Sequence, residues 1–197
     1  MVRGVAFLLS FILTGVSYVY SQESEENFRY KNLLKATGTI SPGFMLNYNQ
    51  SPIYLGGELE YFVEDKVSLR GDAFWLAGTQ NTKKLLEQNS SFMFGALYHF
   101  HQNRFDCFTG LQSGINITKP TSGTNDNSQY LTKVLPVVSP IVGITYYAPK
   151  YFNFFINARY VNSRYFGYGP TTNLYLDEIR ICAGLGFNLN LCKRGNK

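Results

Sequence analysis

The feature that most constrains this chain is a period-two alternation that runs through most of its length and separates charge from apolar side chains. In one segment Leu55, Gly57, Leu59, Tyr61 and Val63 alternate with Gly56, Glu58, Glu60 and Phe62. In the next, Val67, Leu69, Gly71, Ala73 and Trp75 alternate with Ser68, Arg70, Asp72 and Phe74. Successive side chains of a β-strand point to opposite faces, so these rows are strand faces that meet two different environments. The pattern recurs over 92–100, 105–117, 138–146, 152–160 and 179–191, and more weakly in a first strand over about 37–48. None of the seven clear apolar rows holds Asp, Glu, Lys or Arg, whereas the opposite rows carry Glu58, Glu60, Arg70, Asp72, Asp106, Arg159, Glu178 and Arg180.

Eight strands of about ten residues each have the length that a tilted strand needs to cross a bilayer. Short connections at 64–66, 102–104 and 148–150 alternate with longer polar ones at 78–90, 118–133 and 163–173. The spacing predicts an all-β chain: an eight-stranded antiparallel up-and-down transmembrane β-barrel over 36–192. A soluble, lipocalin-like ligand-binding barrel would turn the apolar rows inward. Its outer surface would then carry Gly56, Gly95, Gly110, Gly114, Gly184 and Gly186 and only a few charges. Charged residues make up 16 % of the chain and aromatics another 16 %, against roughly 25 % charge in soluble domains. With the apolar rows outward, the large rings meet lipid, and those near strand ends (Tyr61, Trp75, Phe100, Phe105, Tyr146, Phe152, Tyr160) form interface girdles.

The first 21 residues, with Arg3 ahead of a short apolar stretch and small residues at Ser17 and Ser21, read as a signal peptide. Residues 22–35 then form a periplasmic N-terminal segment and 193–197 a basic C-terminal tail. The signal-like start, the eight alternating strands, the rhythm of short and long connections and the glycine-rich final strand (AGLGFNLN, 183–190) together resemble small outer-membrane β-barrel proteins of the OmpA/OmpX-like or PorT-like type. That resemblance implies export to the outer membrane, with outer-membrane lipid as the main partner. It also implies a structural or surface-interaction barrel whose long connections meet extracellular or secretion-machinery proteins. A narrow porin-like pore, or an accessory component of a secretion or transport system, is the alternative.

A formal net charge of +5 arises from scattered basic residues, with no strip alternating with stackable aromatics, so nucleic acid is not an expected partner. The candidate site is the set of inward charges: Glu58, Glu60, Arg70, Asp72, Arg159, Glu178 and Arg180. In a barrel of eight strands, side chains are just able to fill the interior, so these are expected to pair and plug the lumen rather than to filter ions. His99 and His101 share one strand face beside a short turn and read as polar residues of the lumen mouth. No catalytic constellation, cofactor site or metal-ligand spacing stands out. Cys107, Cys182 and Cys192 read as small packing residues, the first two on opposite faces.

Overall fold

The computed structural model describes residues 31–80, 85–121, 131–148, 151–166 and 173–191. The expected signal peptide, most of the N-terminal segment and the basic tail lie outside the described residues. Among the described residues nine strands follow one another: β1 (Leu33–Met45), β2 (Pro52–Glu64), β3 (Val67–Thr79), β4 (Leu86–Gln102), β5 (Phe105–Pro120), β6 (Lys133–Tyr147), β7 (Phe152–Tyr165), β8 (Leu174–Tyr175) and β9 (Glu178–Asn190). The wall is an antiparallel meander in which sequence neighbours pair, β9 follows β7, and pairing of β9 with β1 closes the ring. The two-residue β8 pairs only with the end of β7, through Arg164↔Tyr175 and Tyr165↔Leu174. Eight strands therefore make the barrel, as the alternation predicts.

Every apolar row faces out. Leu59, Phe94, Leu111 and Val142 each leave between 56 % and 59 % of their surface exposed, while Glu60, Arg70, Arg159 and Arg180 are buried. Water reverses neither preference in a soluble protein. The outer wall is a hydrocarbon-facing belt and the lumen is the core. At the short-turn end, rings cluster around the belt: Tyr98 with Phe100 (centroids 4.9 Å apart), Phe105 with Tyr146 (5.1 Å) and Phe152 with Phe187 (5.8 Å). Two of the turns there have only two residues, Asp65–Lys66 and Asn103–Arg104, and Asn103 takes a positive φ of 55°. Asparagine tolerates that left-handed conformation better than most residues.

Several boundaries move outward from those read in the sequence. β1 begins at Leu33 rather than 36, so Leu33, Leu34 and Lys35 belong to the barrel and not to an N-terminal segment. β9 ends at Asn190, short of 192. The first two expected long connections shrink to 80–85 and 121–132, because β4 and β5 run on to pair Leu86 with Pro120 and β6 starts at Lys133, while the third shifts to 166–177 and includes β8. Hydrogen-bonded ladders need no apolar face. Past the belt the strands continue with Glu87 and Lys119 pointing out and joined by an ion pair of 2.7 Å, which no hydrophobic pattern signals.

Leu59 lies at mid-belt, opposite Ala36 on β1 and Gly71 on β3. Leu59→Arg is expected to lower unfolding free energy by about 2–4 kcal/mol, the cost of a cation on a barrel's lipid face. Leu59→Met is expected to stay within about 1.5 kcal/mol of wild type. Urea titration in lipid vesicles, followed by the fluorescence of the single tryptophan, Trp75, measures both. Equal tolerance of the two changes would contradict a lipid-facing Leu59.

Candidate functional site in the lumen

The inward rows bring their charges together in three layers. Nearest the short-turn end, Lys35 Nζ meets Glu60 Oε2 at 2.6 Å, and Glu60 Oε1 accepts from Ser68 Oγ at 2.6 Å and lies 3.0 Å from His99 Nε2. His99 Nδ1 lies 2.8 Å from Asp106 Oδ2, and His101 Nδ1 lies 2.9 Å from Asp106 Oδ1. In the middle, Arg70 holds both Glu58 (2.5 Å) and Asp72 (2.9 Å), Arg159 reaches across from β7 to Asp72 at 2.5 Å, and Thr37 donates to Glu58 at 3.1 Å. Nearest the long-connection end, Arg180 Nε pairs with Glu178 at 2.6 Å and Arg180 Nη1 donates to Ser91 Oγ at 3.1 Å. There Tyr54 donates to Glu178 at 2.8 Å and accepts from Asn89 at 2.9 Å.

Aromatic rings from the same inward rows separate the cations. Lys35 Nζ is 5.8 Å and Arg70 Cζ 5.4 Å from the Phe108 centroid; Arg159 Cζ is 4.8 Å and Arg180 Cζ 5.5 Å from that of Phe74; Arg180 Cζ lies 3.9 Å over Tyr54. A cation over a ring face gains roughly 0.5–2 kcal/mol, more when desolvated. Cations and rings thus alternate up the barrel axis. Apolar groups close the column at both ends: Leu33, Phe62 and Tyr147 below, and Met45, Leu86, Leu135, Tyr165 and Leu176 above.

All seven inward charges expected from the sequence are buried in the lumen, but they do not form one network. Glu178 and Arg180 pair with each other and with Tyr54, Ser91 and Asn89, not with Glu58, Glu60 or Asp72 as adjacency around the barrel suggests. Their layer sits higher along the tilted strands than the Arg70 layer, and Phe74 stands between Arg180 and Arg159. Four members of the network lie outside the charge set expected from the sequence: Lys35, Asp106, His99 and His101. Lys35 was assigned to the segment before the barrel. Asp106 was placed on an inward row but not in the charge set. His99 and His101 lie in the network rather than merely at its mouth. Formal charges sum to −1 over five carboxylates (Glu58, Glu60, Asp72, Asp106, Glu178) and four fixed cations (Lys35, Arg70, Arg159, Arg180). The inward Phe74 and Phe108, on the charged rows, were the available signal for cation–ring stacking.

The spacing Ser68 Oγ–His99 Nε2 (2.8 Å) and His99 Nδ1–Asp106 Oδ2 (2.8 Å) has the connectivity of a nucleophile, base and orienting acid. Two facts argue against acyl transfer. Ser68 and His99 are fully buried, and Glu60 lies beside Nε2, where its carboxylate competes for the serine proton. Among the described residues no cluster of three or more His, Cys, Asp or Glu side chains is arranged to hold a metal ion.

Lumen glycines mark where strands come too close for side chains. A Cβ at Gly95 would strike the Leu111 carbonyl, and one at Gly114 the Phe92 carbonyl. Behind the charged layers, β5–β7 contribute neutral polar groups, including Ser139 and Asn157, that find no hydrogen-bond partner in the protein. An unsatisfied buried polar group costs about 1–3 kcal/mol.

Sequence comparison finds no matching family model and no matching curated protein. Solved structures of similar fold are small outer-membrane barrels. Neisserial surface protein A (NspA) superposes with a TM-score of 0.58 at 12 % identity, over 79 % of this chain and 95 % of that one. The N-terminal β-barrel domain of Pseudomonas aeruginosa OprF gives 0.51 at 19 % identity, over 81 % and 98 %. Ail, the attachment invasion locus protein of Yersinia pestis, in complex with the heparin analogue sucrose octasulfate, gives 0.50 at 11 % identity, over 80 % and 97 %. The fold is that of the small eight-stranded outer-membrane barrels.

Removing one member of a buried ion pair strands the other and typically costs about 3–5 kcal/mol. Arg180→Ala is therefore expected to lower the urea midpoint markedly, and Arg180→Ala with Glu178→Gln to recover part of the loss. A double variant no more stable than Arg180→Ala would show that the pair is not coupled.

Proposed function

We propose that this chain is an integral outer-membrane β-barrel whose lumen is plugged by its own side chains, and that it acts as a structural or surface-interaction barrel rather than as an open pore or an enzyme. The observation that carries this reading is the column of buried cations and rings, closed by apolar groups at both ends. A filter for ions needs a hydrated path beside its charges; here Arg70, Arg159 and Arg180 are engaged with carboxylates and rings across the axis.

With conduction blocked, contact with outside partners falls to the rim. Strand ladders run beyond the belt at the end where β3, β5 and β7 finish and β4 and β6 begin, and this reading places that end outside the cell, with the two-residue turns in the periplasm. Ail, a barrel of the same fold, binds a polysulfated sugar in its solved complex, and a barrel of this size thereby has a precedent for meeting extracellular ligands. The partner of this chain is proposed to be met by the connections at that end.

Purified protein in planar bilayers is expected to show no steady unitary conductance, and to keep that silence at both polarities. Steady currents in the wild type, with Arg180→Ala altering ion selectivity alone and leaving the urea midpoint in place, would replace the plug with a narrow pore.

A further inference from the structure

Two prolines on one strand interrupt the wall on one side only. β6 carries Pro136 and Pro140 on its lipid-facing row. Its ladder to β5 runs through both, with Leu111↔Pro140 and Ile115↔Pro136 in unbroken register. Its ladder to β7 does not. Rungs climb from Tyr147↔Asn153 to Ile141↔Arg159, skip Ser139 and Pro140, resume at Val138↔Asn162 and Val137↔Ser163, and then stop. Both strands nevertheless go on, β6 back to Lys133 and β7 up to Tyr165.

The prolines account for these missing rungs. In an antiparallel ladder alternate residues exchange hydrogen bonds with one neighbour, and the rungs between borrow theirs from the pairs on either side. Proline has no N–H to give. Gaps at 139–140 and 135–136 are those that arise when residues 136, 138, 140 and 142 direct their N–H groups at β7, because Pro140 and Pro136 then each remove two rungs. In hydrocarbon no water replaces a lost rung. Pro42 makes one such gap between β1 and β9, but there the ladder resumes from Gly43↔Arg180 to Met45↔Glu178 and closes above it. β3 and β4 separate only above Trp75↔Ser90, at the upper girdle. Between β6 and β7, by contrast, Val138↔Asn162 and Val137↔Ser163 stand isolated between two gaps.

Side chains do not make up the loss inside the barrel. Ser139 Oγ and Ser163 Oγ, buried on the two sides of this seam, have no hydrogen-bond partner in the protein. Contact returns at the rim. There Tyr165 donates to the Leu131 carbonyl at 2.8 Å, and Lys133 Nζ donates to the Phe166 carbonyl and lies 5.2 Å from the Tyr165 ring centroid. Folds open locally where few bonds hold them. We infer that the upper half of the β6–β7 seam is a latched breach, which parts locally while the rest of the ring stays shut, with Lys133 and Tyr165 as its latch. The plugged lumen concerns the axis of the barrel; the breach concerns its wall and stands without that reading.

The test is backbone amide hydrogen exchange by NMR on the whole protein in lipid nanodiscs. In the wild type the Val138 and Asn162 amides are expected to exchange at least about tenfold faster than those of Phe44 and Ile179, which lie just above the Pro42 gap. Tyr165→Phe keeps the ring and removes one hydrogen bond of the latch. It is expected to speed exchange at Val138 and Asn162 about fivefold, the worth of a single hydrogen bond, and to leave Phe44 and Ile179 unchanged. Pro136→Val returns an N–H to the seam and is expected to slow the same two amides by a similar factor. Protection of Val138 and Asn162 equal to that of Phe44 and Ile179 in the wild type would overturn the inference. So would a Tyr165→Phe effect spread evenly around the ring.

Discussion

Backbone hydrogen bonding in hydrocarbon sets the terms for everything else in this molecule. A strand crossing lipid has no water to satisfy its N–H and C=O groups, so each must go to a neighbour and the last strand must return to the first. Here that closing pair is β1 with β9, held from Leu33↔Asn190 to Met45↔Glu178. A ring of eight encloses a space only about as wide as the side chains that fill it. Closure therefore decides that whatever points inward is buried, and a chain with five carboxylates and four fixed cations on those rows has to pair them.

The pairing takes the form of layers because the strands are tilted and staggered. Four of the five carboxylates find a fixed cation: Asp72 between Arg70 and Arg159, Glu58 beside Arg70, Glu60 beside Lys35 and Glu178 beside Arg180, while Asp106 meets His99 and His101. Rings fill the gaps that carboxylates leave. Phe74 stands between Arg159 and Arg180, and Phe108 between Lys35 and Arg70. The desolvation of four cations in so narrow a space is offset by ion pairs, hydrogen bonds and ring faces together, more than ion pairs alone usually supply.

A column built this way fills the barrel with side chains that pair with one another. β4 and β5 continue past the apolar belt up to Leu86↔Pro120. The triad-like spacing of Ser68, His99 and Asp106 shows the same logic from another side. A buried histidine between carboxylates acquires the contacts of a catalytic relay simply by satisfying its neighbours, and here burial and the competing Glu60 carboxylate separate the two roles.

Side-chain alternation was sufficient to fix the number of barrel strands, the face each presents and which charges lie inside, because a strand has only two faces and lipid accepts no charge on one of them. It placed Glu58, Arg70, Asp72, Arg159 and Arg180 in the lumen without reference to any contact. What it left open was everything that depends on stagger. Lys35 lies on a strand whose apolar row is broken by Gly38 and Pro42, so its inward place emerged only when β1 paired with β2 and β9. Arg180 faces Tyr54 rather than Asp72, and His99 joins Glu60 to Asp106, because register and tilt set the height of each residue along the axis. Periodicity carries the direction of a side chain, which is local; its partners are chosen by the closure of the ring, which is not.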